Sequence, residues 1–264
     1  MSVYRALAKL EEGNRPGALC TVIRSQGSTP RHAGSKMLIY PDGSIVGTIG
    51  GGEIESRVIA EACQALLDGK PRLLEYHLSD PEQGDAGVYG GQLHVFIEPL
   101  HPKPTLVVIG GGHVGKAVAH LGHWLGFRVV INDDRSEFCT PQAVPDADEY
   151  IPGLMTDLKE RLEITPSTYI VLTTRGVDVD VQGLPALLES PARYVGVIGS
   201  RHRWATSRQL LLEKGVSREA LDHVHSPIGL ELNAETPEEI AVSIMAEIIL
   251  LRQSGNGNIK PTKE

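Results

Sequence analysis

Cysteine is scarce in this chain. Three residues in 264, Cys20, Cys63 and Cys139, lie far apart and match neither a disulfide framework nor a zinc-ligand spacing. Cys20 and Cys63 sit in apolar patterns and are expected in the core, whereas Cys139 sits in a loop-like stretch and could be exposed. Positive charge is also short: 25 Lys and Arg stand against 33 Asp and Glu, a formal net charge of −8 that gives a nucleic-acid role no electrostatic support. No apolar run approaches the length needed to span a membrane. The start of the chain lacks a basic segment followed by an apolar core and a cleavage site, so a cytoplasmic location is expected. Catalytic signatures are missing too. There is no Gly-x-Ser-x-Gly elbow, and spacing assembles no Ser/His/Asp set. Ten histidines include His120 and His123, on one face of a helical pattern, but no Glu-x-x-His or His-Glu-x-x-His accompanies them and no metal site is expected.

The chain does have 41% hydrophobic and 22% charged residues, ordinary globular values that allow two domains in this length. Residues 99–104, Pro-Leu-His-Pro-Lys-Pro, would break any helix and divide the sequence. Before them, residues 1–98 read as a small α/β domain. Val3 to Leu10 suggests a helix, Ala18 to Arg24 a strand, and Lys36 to Tyr40 with Ile45 to Thr48 a hairpin around Asp42-Gly43. Gly50-Gly51-Gly52 then leads into a helix whose Ile54, Val58, Ile59, Ala62 and Leu66 share a face, and Gly69 ends it. Arg72 to His77 and Gln92 to Ile97 are further strand candidates.

Residues 105–252 alternate strand and helix, which predicts a parallel sheet with crossover helices. The apolar run Leu106 to Ile109 meets Gly110-x-Gly112-x-x-Gly115; a helical pattern follows, then a second apolar run, Val129 to Ile131, ending in Asp133-Asp134. Set between a strand and a helix, this is the fingerprint of a Rossmann-type unit. Gly110 would make the tight turn, Gly112 would let the backbone approach a phosphate, and Gly115 would let helix and strand pack closely. His113 sits inside the turn, where it would face a ligand, and Asp133 would accept hydrogen bonds from ribose hydroxyls. Tyr169 to Leu172 and Tyr194 to Ile198 read as further strands; Thr174-Arg175 and Ser200-Arg201 follow them and should face the ligand crevice. Thr236, Pro237 and Glu239 form a capping box for a last helix with Ile240, Ile244 and Ile248 on one stripe. Residues 253–264 are expected to be a mobile tail.

The second glycine run, Gly50-Gly51-Gly52-Glu53, also joins a strand to a helix. Its amides could form an anion nest, or the glycines could simply permit a tight turn. Gly27-Ser28-Thr29-Pro30-Arg31 adds hydroxyls and a guanidinium suited to phosphate, with a polar surface turn as the plainer alternative. Glu53 and Glu55 could do acid–base work or merely complement the helix dipole.

Taken together, several segments resemble the XdhC/CoxI accessory-factor family, which serves xanthine dehydrogenase and related molybdenum hydroxylases. They are residues 27–31, Gly47-Thr48-Ile49-Gly50-Gly51-Gly52, the turn at 110–115, Asp133-Asp134-Arg135, Ile198-Gly199-Ser200-Arg201, Pro227-Ile228-Gly229-Leu230, and Thr236-Pro237-Glu238-Glu239-Ile240-Ala241. They span nearly the whole chain in the family's order. The resemblance implies an XdhC/CoxI-like domain followed by a Rossmann-like domain. It also implies a chaperone rather than a catalyst: a homodimer that binds the molybdenum cofactor (molybdopterin), assists its sulfuration by a cysteine desulfurase-type sulfur donor, and delivers it to a client hydroxylase. On that reading Gly110, Gly112, His113 and Gly115 hold the anionic part of the ligand, Asp133 meets a hydroxyl pair, and Arg31, Gly50, Gly51, Gly52, Glu53, Arg175, Ser200 and Arg201 line the crevice. Relatives often carry Cys where Glu53 stands, Cys where Tyr89 precedes Gly90-Gly91, and His where Val177 follows Thr174-Arg175-Gly176. A carboxylate is a hard ligand and does not replace a soft thiolate toward molybdenum or sulfur. The same Gly turn and Asp133 also fit an NAD(P)-dependent oxidoreductase, or a nucleotide-binding module without catalysis.

Overall fold

The computed structural model describes residues 1–77 and 91–253. The chain divides into two compact units, Met1–Pro102 and Lys103–Glu264.

In the first unit, helix α1 (Val3–Glu12) opens on a Ser2 hydroxyl that accepts from the Arg5 amide at 3.3 Å. Strands β1 (Gly17–Gln26), β2 (Lys36–Ile39) and β3 (Ile45–Gly47) follow, then helix α2 (Gly52–Asp68) and strands β4 (Arg72–His77) and β5 (Gln92–Leu100). The strands form one antiparallel sheet in the order β3-β2-β1-β5-β4. The Asp-Gly turn closes the β2–β3 hairpin as expected: an Asp42 carboxylate oxygen accepts from the Ser44 amide at 3.0 Å, and Gly43 takes φ +80°. Helix α2 buries Val58, Ala62 and Ala65, a helical stripe, against Cys20, Val22, Met37, Ile39, Val95 and Ile97 of the sheet. Helix α1 covers Leu38 from the opposite face with Ala6 and Leu10. β5 runs on to Leu100, two residues into the proline-rich stretch. Past Ile97 it pairs only with β1, and such a one-sided edge tolerates Pro99.

The second unit is a five-stranded, wholly parallel sheet. Its strands are β6 (Thr105–Ile109), β7 (Arg128–Asp133), β8 (Glu149–Pro152), β9 (Thr168–Leu172) and β10 (Tyr194–Val197), in the order β10-β9-β6-β7-β8. Every residue of β6, β9 and β10 is buried, which is why these strands read as continuous apolar runs and not as alternations. Helices α3 (His113–Trp124) and α8 (Pro237–Gln253) pack on the face of Leu106, Val108, Ile131 and Val171. Helices α4 (Leu158–Arg161), α5 (Val177–Leu188), α6 (Arg201–Glu213) and α7 (Arg218–Asp222) cover the face of Val107, Ile109, Ile170 and Leu172. The α8 capping box is formed: Glu239 N–H donates to the Thr236 hydroxyl at 3.2 Å, and the Thr236 amide donates to the Glu239 carboxylate at 3.2 Å. Successive crossovers depart to opposite faces on either side of β6. That places a topological switch between β6 and β9, where doubly wound sheets open a crevice past their strand ends.

Cys139, which its loop-like sequence left open to exposure, is not exposed. Cys139 lies in an irregular segment but is buried; its thiol donates to the Ile131 carbonyl at 3.3 Å, and burial pushes its pKa up. Tyr89, Gly90 and the tail at 254–264 lie outside the described residues.

Candidate functional site

The β6–α3 turn is built by glycines that the fold itself requires and one that it does not. Gly110 takes φ +108°, and a Cβ there would lie 2.7 Å from the Thr173 carbonyl oxygen. A Cβ on Gly111 would lie 2.0 Å from the Phe138 carbonyl oxygen, and one on Gly115 only 1.8 Å from the Gly110 carbonyl oxygen. Gly112 differs. Its backbone is ordinary extended (φ −70°, ψ −168°), and nothing lies within 4 Å of where a Cβ would stand. Packing therefore gives no reason for glycine at this helix cap. Gly176, the cap of α5 on the neighbouring strand β9, is alike: extended backbone, with open space at the Cβ position. The first amides of a helix have no partner inside the helix, so α3 presents open N–H groups around Gly112 and His113. The His113 side chain is exposed.

Past the ends of the same strands lies a cleft of about 220 Å³. It is lined by the strand-end residues Gly110, Asp133, Asp134, Arg135, Thr174 and Arg175, and by Leu154, Met155, Asp178 and Val179. Asp133 stands at the end of β7 as the fingerprint predicts, but it is buried and its oxygens are taken. It accepts from the Gly111 amide at 2.9 Å, from the Arg135 amide at 3.0 Å, and from the Arg135 guanidinium at 2.9–3.0 Å. The expectation that this carboxylate stands open to a ribose is corrected on that ground: it is a strut holding the glycine turn to β7. Its neighbour Asp134 faces outward and meets Arg175 in a two-pronged pair of 2.6 and 2.7 Å across the cleft mouth. The Arg175 hydrogen bonds drag the Asp134 carboxyl down to about 2.

Arg203 is the residue that sequence reasoning missed. From the first turn of α6 it donates to the Thr174 hydroxyl at 2.9 Å, the Thr174 carbonyl at 3.2 Å and the fully buried Asp180 at 2.7 Å. Thr174 also donates to Asp180. This network fixes the turn that carries Arg175. One signal was available: Arg203, Ser207 and Leu211 recur every four residues along α6, and Ser207 and Leu211 are buried. The expected pair at the end of β10 does not join the cleft. The Ser200 hydroxyl caps α6 by accepting from the Arg203 amide at 3.2 Å. Arg201 instead lines a separate hollow with Pro227, Ile228, Gly229 and Leu230.

In the first unit, Ile49, Gly50 and Gly51 form a nest of amides, but the protein fills it. One oxygen of Glu55 accepts from the amides of Gly51 (2.9 Å), Ile49 (3.1 Å) and Gly50 (3.3 Å), and from the Thr48 hydroxyl. Burial pushes the Glu55 carboxyl up, yet these donors together outweigh it and hold the pKa below its ordinary value. The expectation that this nest receives an external anion is thereby corrected. Glu53 points to solvent and pairs with Arg57 at 3.0 Å, one helical turn on. The 27–31 loop packs alongside: a Cβ on Gly50 would lie 2.7 Å from Cγ of Pro30, and one on Gly91 would lie 2.3 Å from the Ser28 carbonyl oxygen. Arg31 at its end is exposed.

With this geometry in hand, comparison with known proteins gives a consistent result. The pattern described as "XdhC Rossmann domain" matches residues 106–248, and that described as "XdhC and CoxI family" matches residues 10–77. The chain is 37% identical to the Escherichia coli (strain K12) protein titled "Uncharacterized protein YqeB", with 98% of this chain and 48% of that protein aligned. It thus spans about half the length of that relative. It is 22% identical to "Molybdenum cofactor insertion chaperone PaoD" of the same organism, over 95% of this chain and 88% of that one. A crystal structure described as a xanthine dehydrogenase from Bacillus halodurans aligns over 100% of this chain and 98% of its own, at 25% identity and a TM-score of 0.53. Among the described residues no helix is long and apolar enough to cross a membrane. The two matched segments, the parallel sheet and the glycine turn agree: this chain belongs to the XdhC family.

Proposed function

We propose that the chain is a maturation factor that binds the molybdenum cofactor, holds it while a cysteine desulfurase-type donor supplies sulfur, and delivers it to a molybdenum hydroxylase of the xanthine dehydrogenase type. The observation that carries the binding step is Gly112: a glycine the fold does not need, at the cap of a twelve-residue helix whose first amides are open. Space kept free at a helix start suits a phosphate oxygen, and the cofactor's pterin carries a phosphate. The relative named as an insertion chaperone for this cofactor supports the choice of ligand over a plain dinucleotide.

The residues present fit the anionic end of such a ligand. The amides around Gly112 and His113 would face the phosphate, and Arg175, steadied by Arg203, would reach it from β9. The cofactor, when bound, supplies the molybdenum centre that the client enzyme needs. The protein's own contribution is to bind, orient and screen it. No cysteine lines the cleft, and Cys139 is buried with a raised thiol pKa, so the cleft offers the metal no thiolate. That favours a carrier that gives up its passenger over one that anchors it.

The test is anaerobic. Purified chain is mixed with isolated molybdenum cofactor, and binding is measured by calorimetry and by transfer to an apo-hydroxylase. Saturable binding with transfer is expected. Absence of binding, together with tight NAD(P) binding and steady substrate oxidation, would reverse the reading in favour of a dehydrogenase. Nucleotide binding with neither turnover nor cofactor uptake would leave a binding module.

A further inference from the structure

We infer that Asp134 is an internal competitor for the site's anion anchor: its carboxylate holds the Arg175 fork until a ligand group bearing at least two negative charges replaces it. This deepens the reading above and rests on it for the location of the site.

Asp134 and Arg175 come from the ends of β7 and β9, the two strands that flank β6, and their pair bridges the cleft mouth. The Asp134 and Arg175 side chains are 30% and 48% exposed. A pair this open to water adds little stability, so stability alone is a weak reason to keep it. The charged groups lining the cleft are Asp133, Asp134 and Asp178 against Arg135 and Arg175. Arg135 is committed to a buried carboxylate and stacks over Phe138 at 3.9 Å, so it is not free to turn. Arg175 is the lining guanidinium whose partner can swing into solvent without being stripped of water. Gly176 beside it leaves open space at the α5 cap.

The same arrangement selects the ligand. A monocarboxylate offers Arg175 nothing that Asp134 does not already offer, and Asp134 is tethered, so its effective concentration is high. A phosphate monoester or pyrophosphate brings more charge and matches the fork with two oxygens. The ligand class is therefore a phosphate dianion or pyrophosphate.

The full chain is compared with Asp134→Asn, Asp134→Ala, Asp178→Asn, Arg175→Gln and the double variant Asp134→Asn/Arg175→Gln. Inorganic pyrophosphate is titrated by calorimetry at fixed ionic strength, with thermal melting as the check on folding. Both Asp134 variants should bind about fivefold more tightly than the parent, the upper range for an exposed pair. Asp178→Asn removes the same charge without touching Arg175 and should gain less. The double variant should bind no better than Arg175→Gln, because the gain runs through that guanidinium. Equal or weaker binding by both Asp134 variants, a gain that survives loss of Arg175, or no pyrophosphate binding by any form overturns the inference. Repeating the titration with molybdenum cofactor separates the two readings. A pyrophosphate gain without cofactor binding sinks the cofactor assignment alone. Cofactor binding with no gain on Asp134 substitution sinks the competitor alone.

Discussion

Replacing Gly112 by Ala should leave the fold intact and damage ligand binding, while Gly115→Ala should do the reverse at the level of stability. At Gly115 the added methyl carbon would stand 1.8 Å from the Gly110 carbonyl oxygen and 2.9 Å from Thr173 Oγ1. The nearer neighbour is backbone and cannot rotate away, so the β6–α3 turn must shift by roughly 1 Å or more, at about 2–4 kcal/mol. At Gly112 the methyl meets nothing, and the backbone is one that alanine adopts without strain. The unfolded chain loses freedom, so stability should be unchanged or higher by about 0.4–1 kcal/mol. The methyl would nevertheless occupy the space a phosphate oxygen needs to come within about 3 Å of the amides, and binding should weaken about tenfold or more. Thermal melting and calorimetric titration of the two variants with pyrophosphate decide it. If Gly112→Ala melts as low as Gly115→Ala, the glycine serves the fold; if it melts normally and binds normally, no ligand approaches that face.

Gly176→Ala, with extended backbone and open space at its own Cβ position, should likewise melt normally and weaken pyrophosphate binding in titration. Glu55→Ala strips the Ile49 and Gly51 amides and the Thr48 hydroxyl of their acceptor, leaves the Gly50 amide only Thr48 Oγ1, and should lower stability by about 1–3 kcal/mol in urea unfolding; no loss would show that water satisfies the nest equally well. The Asp134 pKa is depressed to about 2, so the stabilisation from its pair is complete above the ordinary aspartate value and disappears as pH falls from about 4 through 2. Arg175→Gln should flatten that part of the stability–pH curve, and an unchanged curve contradicts the pair. Cys139, buried and donating to a carbonyl, should resist maleimide labelling in the native protein and react on unfolding; rapid native labelling would show the loop to be open.

What was legible in the sequence follows the kind of signal each element carries. β6, β9 and β10 could be read because a parallel strand covered on both faces must be apolar throughout. The β2–β3 hairpin and the α8 cap could be read because Asp-Gly and Thr-x-x-Glu carry their geometry locally. β8 could not: its four residues, Glu-Tyr-Ile-Pro, form an edge strand with one buried side chain and no periodicity to detect. The site divided in the same way. The glycine spacing located the turn at 110–115, but the partners of charged groups are long-range facts. Arg175 meets Asp134 across 41 positions and Arg203 meets Thr174 across 29. Spacing along the chain does not carry that information, so Arg201 was favoured where Arg203 is the residue that packs inward.

A carboxylate beside a glycine-rich turn has two opposite meanings, and sequence alone does not separate them. Asp133 and Glu55 each follow such a turn and each accepts its amides, so both serve as internal anions that complete the fold. That occupancy removes the amides of Gly50, Gly51 and Gly111 from the donors open to a ligand. It leaves the α3 cap at Gly112 and the Arg175 fork, the latter tied only to a solvent-exposed aspartate. Asp133, which is buried, and Glu55, which is part-buried, each accept four hydrogen bonds and hold their donors firmly, because release would leave several polar groups without partners at once. A carboxylate in water holds its donor only until a stronger anion arrives. The proposed binding is therefore expected at the exposed Asp134–Arg175 pair, because a ligand that instead displaced Asp133 would have to break the four hydrogen bonds that hold the glycine turn.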